Sequence, residues 1–304
     1  MTKILITGGA GYIGSSLANE LVLRGYEVIV VDNFSNGDFY LKNLNHEVKI
    51  FNYDVTRKNV WEVFTRELPE IVFHFAAQIS VKNSITNPEY DEDVNIKGTI
   101  NILEGCVQSK VKKILYSSSA AIYGNPQYLG VDEKHNPNPI SCYGVSKYSA
   151  ELYIKAYHNI HGLDYAILRL ANVYGPGQKN NAYSGVIPLF LDSMLANREP
   201  VIFGDGRQKR DFIYIKDVIK AYILAMECTD NILLNIGTGR PVQVLDLFNY
   251  LAQLTNCQLS PLYLEAKKGD IMESYFNCQL AREKLHWQAE YSIEDGLKEI
   301  VRNK

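Results

Sequence analysis

The chain lacks the features that mark several protein classes. No run of about 18 apolar residues occurs along its 304 positions, so no membrane-spanning helix is expected. No basic stretch with an apolar core behind it opens the sequence, so no secretory signal is expected. Neither charge dominates: 31 Lys and Arg stand against 34 Asp and Glu, a formal net charge of −3. That balance offers no attracting field to a polyanion, which argues against nucleic acid or an anionic membrane surface as partner. The cluster Lys110, Lys112, Lys113 is short and reads as a solvated helix end. Cysteine is sparse. Cys106, Cys142, Cys228, Cys257 and Cys278 are odd in number, widely spaced and without a CxxC pair, as for reduced thiols in the cytoplasm. His158 and His161 lie three apart with no convincing third ligand, so no metal is expected, and His74 reads as a satisfied strand residue.

What the chain has is rhythm. Short β-rich runs at 4–6, 28–31, 48–51, 71–75, 113–117 and 165–170 alternate with helical stretches at 12–24, 60–67, 94–108 and 143–159. Strand runs apolar throughout, joined by helices, indicate a parallel sheet covered on both faces. The fold class is therefore α/β: a Rossmann-like, doubly wound parallel sheet with a smaller mixed α/β substrate-binding domain. After Ala171 the alternation breaks in a Gly- and Pro-rich segment. A helix at 188–197, a strand at 201–203, a helix at 217–227 and a strand at 232–236 follow, then a mixed tail. The expected division is a dinucleotide domain of residues 1–171, with 211–236 returning to it, and a substrate domain of 172–210 and 237–304.

Between the first strand and helix runs Thr7-Gly8-Gly9-Ala10-Gly11-Tyr12-Ile13-Gly14. Gly8 permits a tight turn, Gly11 lets backbone approach a pyrophosphate, and Gly14 lets the helix pack on the sheet. The helix N-terminus supplies N–H groups for phosphates. Asp32 closes the second strand 18 residues after Gly14, placed to bind an adenosine ribose and to repel a 2′-phosphate. Asn33 follows with no nearby Arg, so NAD is favoured over NADP.

Tyr143 and Lys147 are four apart and share a helix face. A Lys ammonium beside a phenol lowers its pKa toward the range of a general base. YxxxK alone is weak in a chain with 21 tyrosines, and Tyr263/Lys267 also matches, but in a β-like stretch where that spacing does not bring side chains together. Ser117-Ser118-Ser119 ends a strand, where ligands of open α/β sheets bind. A hydroxyl there can bridge Tyr143 and a substrate, or simply satisfy its own strand end.

Taken with these, FHFAAQ at 73–78, Asn95 before Gly98-Thr99, YSSSAAIYG at 116–124, YGVSK at 143–147, RLANVYGPG at 169–177, RDFIYIKD at 210–217, NIGTG at 235–239 and KKGD at 267–270 resemble the extended short-chain dehydrogenase/reductase family. The resemblance spans nearly the whole chain, and its most similar branch is the UDP-hexose 4-epimerases. It implies that Tyr143 is the base, Lys147 its tuner and a ribose ligand, and Ser119 the assisting hydroxyl. It places NAD on Gly8, Gly11, Tyr12, Ile13, Gly14, Asp32, Asn33, Asp54, Val55, Ala76, Asn95, Tyr143 and Lys147. It places the nucleotide sugar on Ser119, Asn172, Val186, Phe203, Arg210, Lys267, Asp270 and Ser274, with Arg210 on the diphosphate. Lys267 stands where Arg is usual and brings charge without the bidentate fork.

Two departures separate branches. Related dehydratases and decarboxylases carry acids near the catalytic hydroxyl, where this chain has Ala120 and Ala121. Ser274 stands where some glucose/galactose-restricted epimerases carry Tyr, leaving room for an N-acetyl group. The resemblance thus implies an NAD-dependent epimerase that inverts C4 of a UDP-sugar through a transient 4-ketone, acting on UDP-glucose/UDP-galactose and on UDP-GlcNAc/UDP-GalNAc, as a cytoplasmic homodimer. A 4-keto-reductase, a 4,6-dehydratase and a non-catalytic dinucleotide sensor are the competing readings.

Overall fold

A computed structural model describes residues 1–179, 185–266 and 271–303. By its internal contacts the chain forms two compact units, residues 1–124, 136–169 and 221–234 in the first and 125–135, 170–220 and 235–304 in the second.

The first unit is built on strands β1 (Lys3–Thr7), β2 (Glu27–Asp32), β3 (Lys49–Asn52), β4 (Ile71–His74), β5 (Lys113–Ser119) and β6 (Asp164–Leu170), joined by helices α1 (Tyr12–Leu23), α2 (Trp61–Glu67), α3 (Val81–Thr86), α4 (Pro88–Glu92), α5 (Gly98–Gln108) and α6 (Cys142–His161). With β10 (Ile232–Ile236) they form a seven-stranded sheet in the order β10-β6-β5-β4-β1-β2-β3. The order reverses direction between β1 and β4, and the β1–β2, β1–β4, β2–β3 and β4–β5 pairs are all parallel. Alternate strand residues face opposite sides, and both sides are apolar. Leu5, Ile29, Val31, Val72, Ile114 and Ile167 pack with α2, α5 and α6. Ile4, Ile6, Val28 and Val30 point the other way and are equally buried. This is the expected doubly wound fold, and it gathers the carboxyl ends of β1, β4 and β5 at one edge.

The second unit holds β7 (Asn172–Tyr174), α7 (Val186–Leu195), β8 (Val201–Phe203), β9 (Lys209–Tyr214), β11 (Pro241–Gln243), α9 (Val244–Thr255), β12 (Leu262–Leu264), β13 (Glu273–Ser274), α10 (Gln279–Leu285) and α11 (Ile293–Arg302). Helix α8 (Ile215–Glu227) and strand β10 (Ile232–Ile236) run from one unit into the other. β9 is the hub: β11 and β13 flank its first half and β7 pairs with its second. Asp211 fixes it from within, accepting hydrogen bonds from the Thr238 N–H and hydroxyl, the Gly239 N–H and the Phe276 N–H. The strands β7 and β9 and the helices α3 and α4 are not among the elements expected from the sequence. β8 pairs with β12, which contains Tyr263; Lys267, the other half of the second YxxxK match, lies outside the described residues. Among the described residues no helix is long and apolar enough to cross a membrane.

Candidate active site

In the first unit the chain leaves β1 at Thr7 and turns through Gly8 into α1, capped by Gly11. Gly8 has φ +68°, and a Cβ there would lie 2.5 Å from the Ala76 nitrogen, so only glycine fits. Gly14 differs from expectation. A Cβ there would strike the Gly8 carbonyl oxygen at 2.3 Å and the Gly9 Cα at 2.7 Å, so Gly14 serves the turn, whereas Gly9, against Val30 at 2.5 Å, lets the loop lie on β2. At Gly11 an added carbon would meet only the Gly8 oxygen within 4 Å, at 3.1 Å, which leaves the space above the helix N-terminus for a ligand. No acidic residue occupies the first turn of α1, so the positive end of its dipole is uncompensated. These features fit a pyrophosphate.

Asp32 ends β2 and holds its own surroundings: Oδ2 accepts from the Ala10 N–H at 3.0 Å and Oδ1 from the Phe34 N–H at 2.8 Å. Each oxygen retains a lone pair for a ribose hydroxyl. Burial raises its pKa above the ordinary value, opposed by those N–H donors. Asn33 donates to Asp54 Oδ2 at 3.0 Å, joining two expected cofactor residues. Val55 is buried, and its carbonyl accepts from Asn101 at 2.9 Å.

Asn95 lies on a π-helical turn, Asp93–Lys97, that the sequence rhythm did not reveal. Its Oδ1 accepts from the Gln78 N–H at 2.9 Å, and its amide donates to the Gln78 carbonyl and the Ser146 hydroxyl, both at 3.0 Å, and to Asp91 at 3.2 Å. Asp91 also accepts from Gln78 Nε2 at 2.6 Å. Gln78 stands in the FHFAAQ motif, but nothing in local pattern singles out Asp91.

Ser119 ends β5, and Tyr143 and Lys147 occupy the first turns of α6, whose N-cap Ser141 accepts from the Gly144 N–H at 3.1 Å. Tyr143 and Lys147 share one face of α6, and Ser119 and Tyr143 share a hydrogen bond. Their electrostatics correct the sequence reading. The Tyr143 phenol is raised above its ordinary pKa by burial, against the pull of the Ser119 hydrogen bond. Lys147 is itself desolvated, pushed down to about 7, with Glu151 and Asp91 helping to keep its proton on. Its Nζ sits 4.4 Å above the Tyr116 ring centroid. At Tyr143 burial prevails, and what opposes it is the Ser119 hydrogen bond and not the lysine.

Ser118, one residue before Ser119, donates to Glu151 Oε1 at 2.5 Å, and Glu151 is paired with Arg169. Glu151 lies eight residues after Tyr143, on the same helix face, which is the one signal that could have found it.

The second unit contains a cavity of about 280 Å³ lined by Asn172, Val186, Phe203, Gln208, Arg210 and Phe212 among others. Four expected substrate residues thus converge on one cavity. Asn172 is held by donation to the Asp211 carbonyl at 3.0 Å. Gln208, unanticipated, donates to the Phe203 carbonyl at 2.9 Å. Ser274 does not line the cavity but pairs directly with Arg210 across β13 and β9. Lys267 and Asp270 lie outside the described residues. Among the described residues no group of three or more His, Cys, Asp or Glu is placed to hold a metal ion.

Comparison with known proteins agrees with this geometry. The family model of the NAD dependent epimerase/dehydratase family matches residues 4–237. A putative UDP-glucose 4-epimerase of Methanocaldococcus jannaschii is 43% identical over 299 residues, covering 98% of this chain and 97% of that protein. The crystal structure of a UDP-glucose 4-epimerase with UDP-glucose from Thermotoga maritima superimposes with a TM-score of 0.96 at 42% identity, covering 99% and 98% of the two chains. A UDP-N-acetylglucosamine 4-epimerase from Methanobrevibacter ruminantium, in complex with UDP-N-acetylmuramic acid, gives 0.93 at 33% identity, covering 99% and 97%.

Proposed function

The chain belongs to the NAD dependent epimerase/dehydratase family, and we propose that it inverts C4 of UDP-glucose and UDP-galactose and of their N-acetylamino counterparts UDP-GlcNAc and UDP-GalNAc. The observation that carries this reading is the Ser119–Tyr143 hydrogen bond beside Ala120 and Ala121, which have no proton to give or take. Oxidation and reduction at C4 need only the hydroxyl pair and NAD, whereas elimination or decarboxylation needs a further acid. Bound NAD supplies the acceptor and donor of the C4 hydride, so no net redox change occurs.

Tyr143 Oη takes the proton of the C4 hydroxyl and returns it, and Ser119 Oγ holds the C4 oxygen in reach of that phenol. Lys147 charge offsets the developing phenolate and serves the nicotinamide ribose. Gly8, Gly11 and the α1 terminus receive the pyrophosphate over the turn that Gly14 allows, and Asp32 with Asn33 receives the adenosine ribose. Arg210 charge meets the sugar's diphosphate, with Asn172, Val186 and Phe203 around the nucleotide and Lys267 and Asp270 as further ligands. The small Ser274 side chain beside Arg210 leaves room for an N-acetyl group.

A homodimer is part of the proposal, through α5 and α6. On α6, Val145, Leu152 and Tyr153 expose 49%, 49% and 41% of their surface, an apolar stripe that a second copy would cover. The five free cysteines fit a reducing cytoplasm.

The test is one assay: purified protein with each of the four UDP-sugars, without added NAD, products separated as 4-epimers. Interconversion within both pairs with no net change in bound NAD is the expected result. Accumulation of a 4-keto-sugar matched by reduction of the bound NAD, without the 4-epimer, would indicate a reductase running in reverse. Turnover of the glucose/galactose pair alone would overturn the wider specificity.

A further inference from the structure

One fully buried group in the first unit takes no part in the chemistry above. His74, 1% exposed at the end of β4, lies between two threonines: Nδ1 is 2.7 Å from Thr7 Oγ1 and Nε2 is 3.0 Å from Thr99 Oγ1. Both threonines are also fully buried. The proton positions follow from the neighbours. Thr99 Oγ1 lies 2.6 Å from the Asn95 carbonyl oxygen, which only accepts, so the threonine proton is committed there. At Nε2 the Thr99 oxygen must then accept, and the imidazole carries its proton on Nε2. Nδ1 is left as an acceptor for the Thr7 hydroxyl, whose oxygen in turn accepts from the Ala76 N–H at 3.3 Å. Every hydrogen bond from Ala76 to Asn95 thus runs in one sense, the arrangement in which such bonds reinforce one another.

We propose that His74, fixed in its neutral Nε2–H form, is a positioning residue for NAD, tying the dinucleotide turn after Thr7 and the backbone at Ala76 to the π-helical turn that carries Asn95. Protonation would leave the Thr7 hydroxyl facing two donors with no acceptor for its own proton. Burial, reinforced by the charge of Lys147 facing the same core, accordingly holds the imidazole pKa down to about 3. The other ring beside it is Tyr116, at 5.7 Å between centroids. The chain of bonds continues from the Asn95 side chain to Ser146, which adjoins Lys147. His74 therefore joins three segments that meet the cofactor without touching it. The inference rests on NAD binding and is independent of which sugar is used.

The test has two arms. Long-range proton–nitrogen correlation on ¹⁵N-histidine-labelled protein reads the tautomer directly in the unmodified chain. The expected signature is a neutral Nε2–H ring, unchanged between about pH 5.5 and 8.5. An Nδ1–H ring, or titration within that range, would overturn the proposal whatever the variants do. In the second arm Thr99→Val removes the Nε2 partner and Thr99→Ser keeps it. NAD dissociation from Thr99→Val should be faster by about tenfold or more, with Thr99→Ser near the unmodified value and kcat at saturating NAD little changed. Unaltered NAD retention in a folded Thr99→Val, or equal losses in both variants, would contradict a positioning role.

Discussion

Arg169 grips Glu151 through two hydrogen bonds, Nε to Oε1 at 2.9 Å and Nη2 to Oε2 at 2.6 Å, with their side chains 3% and 0% exposed. Arg169 also donates to the Tyr123 hydroxyl at 2.7 Å, and Glu151 accepts from Ser118. The pair therefore clamps α6 to the ends of β5 and β6, beside the Ser119–Tyr143 hydrogen bond. Removing one partner leaves a buried charge alone, so Glu151→Ala should cost about 3–5 kcal/mol in chemical denaturation. Replacing both by apolar residues of similar size should recover most of that loss. A single-variant loss below about 1 kcal/mol would show that the clamp is not needed.

Tyr143→Phe removes the phenolic oxygen and leaves the ring. It should keep NAD and the fold while turnover falls by about 10²–10⁴-fold. Ser119→Ala should lose activity while keeping Tyr143 in place. Paired measurements of bound NAD and initial rate decide the matter. Near-normal turnover in Tyr143→Phe would remove that residue from the mechanism.

Lys147 gives the pH prediction. Its pKa falls from the ordinary lysine value to about 7 in the native state because burial disfavours the ammonium. Between that value and the unfolded pKa of about 10.4 the unfolded chain binds more protons than the native one, so this group's contribution to stability rises with pH. In the NAD-free protein, denaturation from about pH 7 to 9.5 should show the unmodified chain gaining stability relative to Lys147→Met. A constant difference across that range would mean that Lys147 is not desolvated.

Ser274→Tyr tests the sugar pocket. The bulk added beside Arg210 should cut turnover of UDP-GlcNAc and UDP-GalNAc by about tenfold or more relative to UDP-glucose and UDP-galactose. Equal losses for both pairs would place Ser274 away from the sugar C2 substituent.

The parts of the site legible in the sequence are those governed by local backbone or short spacing. The Gly8–Gly14 turn, Asp32 at the end of β2 and the four-residue step from Tyr143 to Lys147 follow from chain geometry. Asn172, Val186, Phe203 and Arg210 came from motif resemblance and meet on one cavity. What stayed hidden depends on distant partners. The strands β7 and β9 are short, and their pairing is decided by residues 40 positions apart, such as Asn172 with Phe212. The π-helical turn at Asn95 and the charge of Asp91 beside it carry no local signature. The raised pKa of Tyr143 reflects packing, which spacing alone does not report.

Transfer of one hydrogen away from C4 and back is the centre of the account. UDP-glucose carrying deuterium at C4, incubated with the protein in ordinary water, tests it most directly. The account predicts UDP-galactose with the deuterium retained at C4 and none released to solvent. Loss of the label to water, or inversion at another carbon, would contradict it.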